Sequence, residues 1–597
     1  VSPQGDRYPP IGAYGLLADG AGAALVSADG SVDWCCLPRI DSGSCFGRLL
    51  GWDTGGSCVF APTAARAQRS RSYLEDTLVL CTDVTRGGAQ VRVFDFMTLP
   101  REGRDVPHEL VRIAEGIAGE LTFGLQIRPR FDYGTVAPWV RRHSPDTWSA
   151  TGGDDAMLIW SDVELEPDGA HALRGRCTVR AAERKRLVLR HAAPEALDDE
   201  RAWGPERCDA RLKETIANWR RWAKRISSDD PAVRRSVLVL HALTNARTGG
   251  MAAAATTSLP ESLRGRTWDY RYCWIRDSTF ATRSLAEVGC GDEADAFRRF
   301  IQRSSAGTAE DLQTVYGVHG ARRIGEQELP ELEGWRGIGP VRVGNSATGQ
   351  FQLDAYGELV NLAWRWHERG NSPDDDLWRF LVTLVDHAAE RWREPDRGMW
   401  EWRPRPQHWV HSKALCWTAL DRGLRLAEEC MRKAPVTRWR RERAAVKRAI
   451  EREGYDRKRG IFVQWFGSAK VDGSLLQLPV TGLVEWDDPR MIRTADAVRE
   501  SLRDRGLIRR HANRDGQPGR EGAFLACSFW LAECLARQSR HSEAREVFAD
   551  AMATANDLGL FSEEYDTRSG ELMGNFPQAL THLSHVAAAK ALGESEV

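Results

Sequence analysis

One change of rhythm restricts the fold of this chain more than any other feature. Up to about residue 215, apolar residues recur at every second position, as in strands with one buried face. "AALVSADGSVDWCCL" sets two short apolar runs around Asp29-Gly30, and "TLVLCTDVTRGGAQVRVFDFMTL" repeats the design around Gly87-Gly88, so both read as hairpins. "ELVRIAEGIAGELTFGLQIRPRF" and "AMLIWSDVELEPDGAHALRGRCTV" add further antiparallel strands, and together these predict a large β-sandwich. From about Asp230 the spacing lengthens to i, i+3, i+4 in segments such as "FQLDAYGELVNLAWRWHE", "LWRFLVTLVDHAAERW" and "SKALCWTALDRGLRLAEEC". About twelve helical segments follow, including a weak one near Leu475, and several are apolar nearly all round, as inner members of a two-layer arrangement are. The expected organisation is a sandwich over 1–215, a linker helix over 216–232 and an (α/α)6 barrel over 233–597.

Length agrees with two domains, since 597 residues exceed what one core usually serves. A net charge of −1 leaves no basic excess to attract nucleic acid or an anionic membrane. No apolar run approaches the roughly 20 residues of a membrane span. The opening "VSPQGDRYPP" has neither the basic start nor the apolar stretch of an export signal, so a cytoplasmic location is expected. The thirteen cysteines form no CxxC pair and no zinc-like spacing with histidine, which suits buried free thiols in a reducing compartment.

Three windows carry chemistry. "RTWDYRYCWIRDSTF" (Arg266–Phe280) mixes aromatics with ionised groups. A sugar ring stacks its C–H face on an aromatic and offers hydroxyls to carboxylate and guanidinium, so this mixture suits a sugar site. In "RGMWEWRPRPQHWVHSK" (Arg397–Lys413), Glu401 stands between Trp400 and Trp402. Desolvation by two indoles is expected to raise its pKa and make it a proton donor. In "DGQPGREGAFLACSFWLAE" (Asp515–Glu533), Glu521 follows a Gly/Pro loop and opens an apolar helix, where the helix dipole alone would explain it. Its interest comes from pairing with Glu401, because glycoside hydrolysis generally needs two carboxyls flanking one sugar. No Walker, HExxH or GxSxG motif competes.

Together these stretches resemble glycoside hydrolase family 15, which holds glucoamylases, glucodextranases and bacterial trehalases. "YGLLADGAGAALVSADGSVDWCCLPRIDS", "TWDYRYCWIRDS", "GVHGARRIGEQEL", "PVRVGNSATGQFQLDAYGE", "GMWEWRPRPQHWVHSKALCW", "EGAFLACSFWL" and "GNFPQALTHL" follow in the family's order nearly end to end. The resemblance implies a super-β-sandwich ahead of an (α/α)6 catalytic barrel. It also implies an inverting, exo-acting hydrolase that releases β-D-glucose from small α-glucosides, with Glu401 as general acid and Glu521 as general base. Arg276 and Asp277 would grip the terminal glucose, with Tyr270, Trp274 and Trp400 as its aromatic walls. Arg510 matches a glucose-binding arginine, although "GLIRRHANRDG" departs from the usual aromatic-flanked form and leaves Arg509 as a rival. Trp402, Arg403, Trp335 and His411 are expected around the leaving group, while Asp269 and Tyr272 are expected to pack beneath the site. Isomalto- or malto-oligosaccharides are the first expected substrates and α,α-trehalose the alternative. A disaccharide phosphorylase or an inactive sugar-binding protein ranks lower, because both glutamates are present. The chemistry requires no metal or cofactor. Some trehalases of the family need phosphate and magnesium, so an ion requirement stays open, as does homo-oligomerisation.

Overall fold

The structure, a computed structural model, describes residues 7–593 except 65, 101–107, 200–202, 514–515 and 517–518. The start of the opening segment and most of the loop ahead of Glu521 therefore lie outside the described residues. The first half holds two eight-stranded antiparallel sheets. One runs in the order Tyr14–Ala18, Ala23–Ser27, Ser31–Cys36, Ser57–Pro62, Glu120–Arg128, Leu173–Arg180 and Leu165–Pro167, with Ser44–Phe46 branching from the third strand. The other runs Trp139–Arg142, Thr147–Gly152, Asp155–Ser161, Arg184–Ala192, Glu109–Ala118, Ala89–Met97, Leu80–Arg86 and Gln68–Tyr73. Alternation does what the period-two pattern requires. Along Glu120–Arg128, Leu121, Phe123, Leu125 and Ile127 are buried while Glu120 and Gln126 are exposed. The turn at Gly87-Gly88 has φ of 54° and 85°, so a two-residue hairpin closes there and pairs Arg86 with Ala89.

Twelve α-helices follow among the described residues: α1 (Pro205–Ala223), α2 (Pro231–Leu243), α3 (Arg276–Glu287), α4 (Gly291–Ser304), α5 (Asp354–Glu368), α6 (Asp375–Arg391), α7 (Val410–Glu429), α8 (Val436–Glu453), α9 (Pro489–Leu502), α10 (Leu525–Arg537), α11 (His541–Met552) and α12 (Ala579–Gly593). The last sandwich strand ends at Ala192, and α1 links the halves with Pro205 at its first position, where a missing N–H costs nothing. The positions 215/216 and 232/233 thus fall inside α1 and α2. An inner ring closes in the order α3, α5, α7, the short 3-10 turn Gly473–Gln477, α10, α12 and back to α3, with α2, α4, α6, α8, α9 and α11 outside. The weak segment near Leu475 is therefore a real ring position, cut to a 3-10 turn. Pro479 stops it from lengthening, and at Gly473 an added Cβ would collide with the Cys527 sulfur.

Polar ties lock the sandwich to the barrel. The Trp34 indole donates to the Ala255 carbonyl (2.8 Å). Arg271 forms a fully buried ion pair with Asp269 and also donates to the Ser42 carbonyl (2.7 Å) and the Tyr133 hydroxyl (2.6 Å). Asp269 and Tyr272, whose hydroxyl accepts from the Gly344 amide, are packing residues as expected. No described helix is long and apolar enough to cross a membrane.

Candidate active site

A pocket with about 880 Å³ of atom-free space, its mouth included, opens at the ends of the inner helices, and none of its lining residues comes from the sandwich. Its floor begins where the short strand Cys273–Trp274 pairs with Val315–Tyr316 and runs into α3. This turn points Trp274, Arg276 and Asp277 into one space, as their common window suggested. Arg276 holds Asp277 (3.2 Å) and the Met399 carbonyl (2.6 Å). Burial keeps the Asp277 carboxyl above its ordinary value although Arg276 pulls it back. Tyr270 stands edge-on to Trp274, with ring centroids 5.3 Å apart.

Glu401 sits at the tip of a tight turn, with φ of 54° and its N–H bonded to the Gly398 carbonyl. That conformation aims its carboxylate into the pocket, where the Trp274 indole N–H donates to Oε1 (2.6 Å) and Arg276 lies at 3.6 Å. The indoles that flank it in sequence turn to other partners. Trp400 donates to Asp472 (2.9 Å) and packs against Phe524 and Trp530, although it still lines the pocket. Trp402 packs among Trp409, Trp465 and His511 and also lines the pocket. The expectation of a carboxyl sandwiched by its two neighbours is thus replaced by one touched by a third, Trp274.

A second group in and behind the lining gathers four carboxyls, Glu261, Glu521, Glu563 and Glu564, and two guanidiniums; of these Glu261, Glu563, Arg266 and Arg510 line the pocket. Arg510 binds Glu521 through Nε (3.0 Å) and Nη2, and also reaches Glu261 (3.1 Å); Arg266 binds the same Glu521. Glu521 is not at a helix start, because the strand Ala523–Phe524 separates it from α10. Its role is that of a counter-ion, and the Arg510 guanidinium drives its pKa down to about 2 against the pull of burial. It does not line the pocket itself, while Arg266 and Arg510 do. Arg509, the rival of Arg510, does not line it either.

Sequence reasoning missed Glu261, Glu563 and Glu564, and it read Arg266 and Trp268 only as part of the aromatic and charged window without a role of their own. Glu563 lines the pocket, is 1% exposed, and its Oε2 has no hydrogen-bond partner. Burial and the neighbouring Glu261 raise its pKa well above the carboxylate range. The available signal was "GLFSEEYD", two adjacent acids directly after an apolar run, where burial needs a reason. Glu261, Glu521 and Glu564 also bring carboxylate oxygens within 4.8 Å of one another, a spacing a cation could use. Arg266 and Arg510 already supply cationic charge there, so this donor set does not fit a resident divalent ion.

Two expected residues are not brought to the pocket. Trp335 is fully buried and donates to the Pro9 carbonyl (3.0 Å), tying the barrel to the N-terminal segment. His411, in the first turn of α7, lies buried outside the lining, and burial lowers its pKa to about 4. An indole and an imidazole near the right motifs carry no information on which way they face.

With this geometry in hand, comparison with known proteins is specific. The model of the glycosyl hydrolases family 15 matches residues 229–590, and that of a trehalase-like N-terminal domain matches 3–208. A trehalase of Mycolicibacterium smegmatis is 36% identical, covering 97% of this chain and 91% of that protein. A trehalase of Mycobacterium tuberculosis is 34% identical, covering 98% and 90%. The crystal structure of a bacterial glucoamylase complexed with acarbose superposes with a TM-score of 0.75 at 12% identity, covering 98% of this chain and 95% of that one. That likeness speaks to the fold, a super-β-sandwich followed by an (α/α)6 barrel.

Proposed function

The chain belongs to glycosyl hydrolases family 15, and from that membership we propose that it hydrolyses α,α-trehalose with inversion at the attacked carbon. The observation that carries the substrate is the near end-to-end similarity to two trehalases at 34–36% identity. This reverses the order of substrates expected from the motifs alone, in which isomalto- and malto-oligosaccharides came first.

Site chemistry supports a single displacement. Glu401, protonated, gives its proton to the glycosidic oxygen as the C1–O bond breaks. A carboxylate on the opposite wall takes a proton from the water that forms the new C1–O bond from the other face. We assign that base to Glu563 rather than Glu521. The Glu521 carboxylate does not line the pocket and is engaged by two guanidiniums. Glu563 lines the pocket and keeps one carboxylate oxygen without a hydrogen-bond partner among the described residues, so its ionised form has a lone pair to offer a water. Arg276 and Asp277 would fix the hydroxyls of the attacked glucose, and Arg510 would carry the charge of the wall. No metal enters these steps. The thirteen unpaired cysteines support a reducing, cytoplasmic compartment.

A proton NMR time course with trehalose, maltose and isomaltose, with and without phosphate and magnesium, tests this. Trehalose should yield β-glucose from the attacked ring and an equal share of α-glucose from the leaving ring. Cleavage of maltose or isomaltose but not trehalose would overturn the substrate. Glucose 1-phosphate formed only with phosphate present would overturn hydrolysis, and α-glucose alone would overturn inversion.

A further inference from the structure

The mouth of the pocket holds an arrangement that the two-carboxyl mechanism does not use. Trp268 is a lining residue whose indole meets two guanidiniums. Arg403 lies 3.7 Å and Arg342 4.6 Å from the ring centroid. The two arginines differ in every other respect. Arg342 is committed: it donates to the Thr267 carbonyl (2.9 Å) and hydroxyl (3.1 Å) and to Glu328 (2.9 Å). Arg403 is exposed, lines the pocket, and forms no ion pair with any described residue. Its backbone is nonetheless fixed. Arg397 reaches behind it to the carbonyls of Trp402 (3.0 Å), Arg403 (2.8 Å) and Pro404, and two prolines in the next three positions stiffen the segment.

A stacked guanidinium keeps its N–H donors in its own plane, so Trp268 orients Arg403 without consuming its hydrogen bonds. With its contacted indole occupied, Trp268 does not offer a stacking platform of the kind Trp274 and Tyr270 provide. The polar edge of Arg403 is the ligand-facing group here. Its place in the chain says which part of a ligand it meets. It stands two residues after Glu401, which hands its proton to the glycosidic oxygen, so the departing half of the substrate must lie on this side.

We infer that Arg403, held against Trp268, is the hydrogen-bonding anchor of the leaving sugar. This rests on the hydrolase reading above. Its ionised donors meet vicinal hydroxyls, and the charge-assisted bonds are strongest as negative charge develops on the departing oxygen.

The test compares Arg403→Ala and Arg403→Lys with the unchanged protein on trehalose and on α-glucosyl fluoride, whose leaving group is one atom and has no hydroxyl. Arg403→Ala should lower kcat/KM for trehalose roughly 10- to 100-fold while changing the fluoride less than about threefold. Arg403→Lys should recover only part of the loss, since an ammonium neither forks nor stacks as a plane. Trp268→Leu, with Arg403 intact, should show the same selective loss. An equal fall on both substrates, or none on trehalose, overturns the inference. If the unchanged protein cleaves the fluoride and maltose but not trehalose, the substrate proposal fails, and the ratio of maltose to fluoride then judges Arg403 by the same criterion.

Discussion

The two walls of the pocket solve the problem of keeping carboxyls in a barrel in opposite ways. On one side Glu401, its side chain 23% exposed, stands on a strained turn beside one indole N–H and shares the Arg276 guanidinium with Asp277. On the other side Glu261, Glu521, Glu563 and Glu564 crowd around Arg266 and Arg510, and three of the four are nearly sealed from water. Four carboxyls sharing two guanidiniums titrate as a set, so the proton affinity of any one reports the arrangement of all. The difference teaches that a carboxylate's role follows from what already holds it: Glu521 is an ion-pair partner of both Arg266 and Arg510, which is why the proposed base is Glu563.

The largest effect should come from removing the reacting groups, and it should split the two walls. Glu401→Gln and Glu563→Gln should each lower kcat on trehalose by roughly 10²–10⁴-fold with the fold unchanged by circular dichroism. Only Glu401→Gln should retain hydrolysis of α-glucosyl fluoride, whose leaving group needs no proton. Glu563→Ala should instead regain turnover with azide, giving a β-glucosyl azide. Azide rescue of Glu521→Ala and not of Glu563→Ala would reverse the assignment.

Next in size is the ion-pair network. Glu521→Gln removes the carboxylate that Arg266 and Arg510 share and leaves Glu261 as the other carboxylate paired with Arg510, at a cost of roughly 3–5 kcal/mol. The measurement is the denaturation midpoint. Glu521 ionises at about pH 2 in the folded chain and near 4.5 unfolded, so its stabilisation is full above pH 5 and is lost as pH falls from there towards 2. The difference in midpoint between Glu521→Gln and the unchanged protein should therefore shrink over that window. A constant difference would mean that packing, not charge, is what the substitution removes.

The smallest effect concerns a second set of acids that share neither wall. Asp354 and Glu358, four residues apart on α5, are fully enclosed, and burial raises them to about 7 and about 8. A raised carboxyl costs nothing below its unfolded value and progressively more as pH climbs towards the folded one. Glu358→Gln should raise stability by roughly 2–4 kcal/mol at pH 8 and leave it nearly unchanged at pH 5, as measured by urea unfolding. Equal midpoints at pH 8 would mean that Glu358 is already neutralised by a partner.

How much of this was legible in the sequence depends on whether a feature is local. The hairpins at Asp29-Gly30 and Gly87-Gly88 and the nearly all-round apolar inner helices follow from patterns within a few residues, whereas the linker helix expected over 216–232 is divided between α1 and α2 with a break over 224–230. The grouping of Tyr270, Trp274, Arg276 and Asp277 is local too, because one strand-to-helix turn carries them. Trp335 and His411 failed for the converse reason: each lies near a site motif, and its direction is set by contacts the motif does not contain. Arg510 could be located but not separated from Arg509 until Glu521 and Glu261 were seen around it.

The sequence by itself determined the two layers, their order, the family and one whole wall of the site, since periodicity and short motifs are properties of neighbours along the chain. Only the tertiary structure decided the other wall. Arg266 and Glu521 are 255 positions apart, and whether a glutamate is a base, a counter-ion or a buried neutral acid depends on charges and burial that the fold brings from that distance.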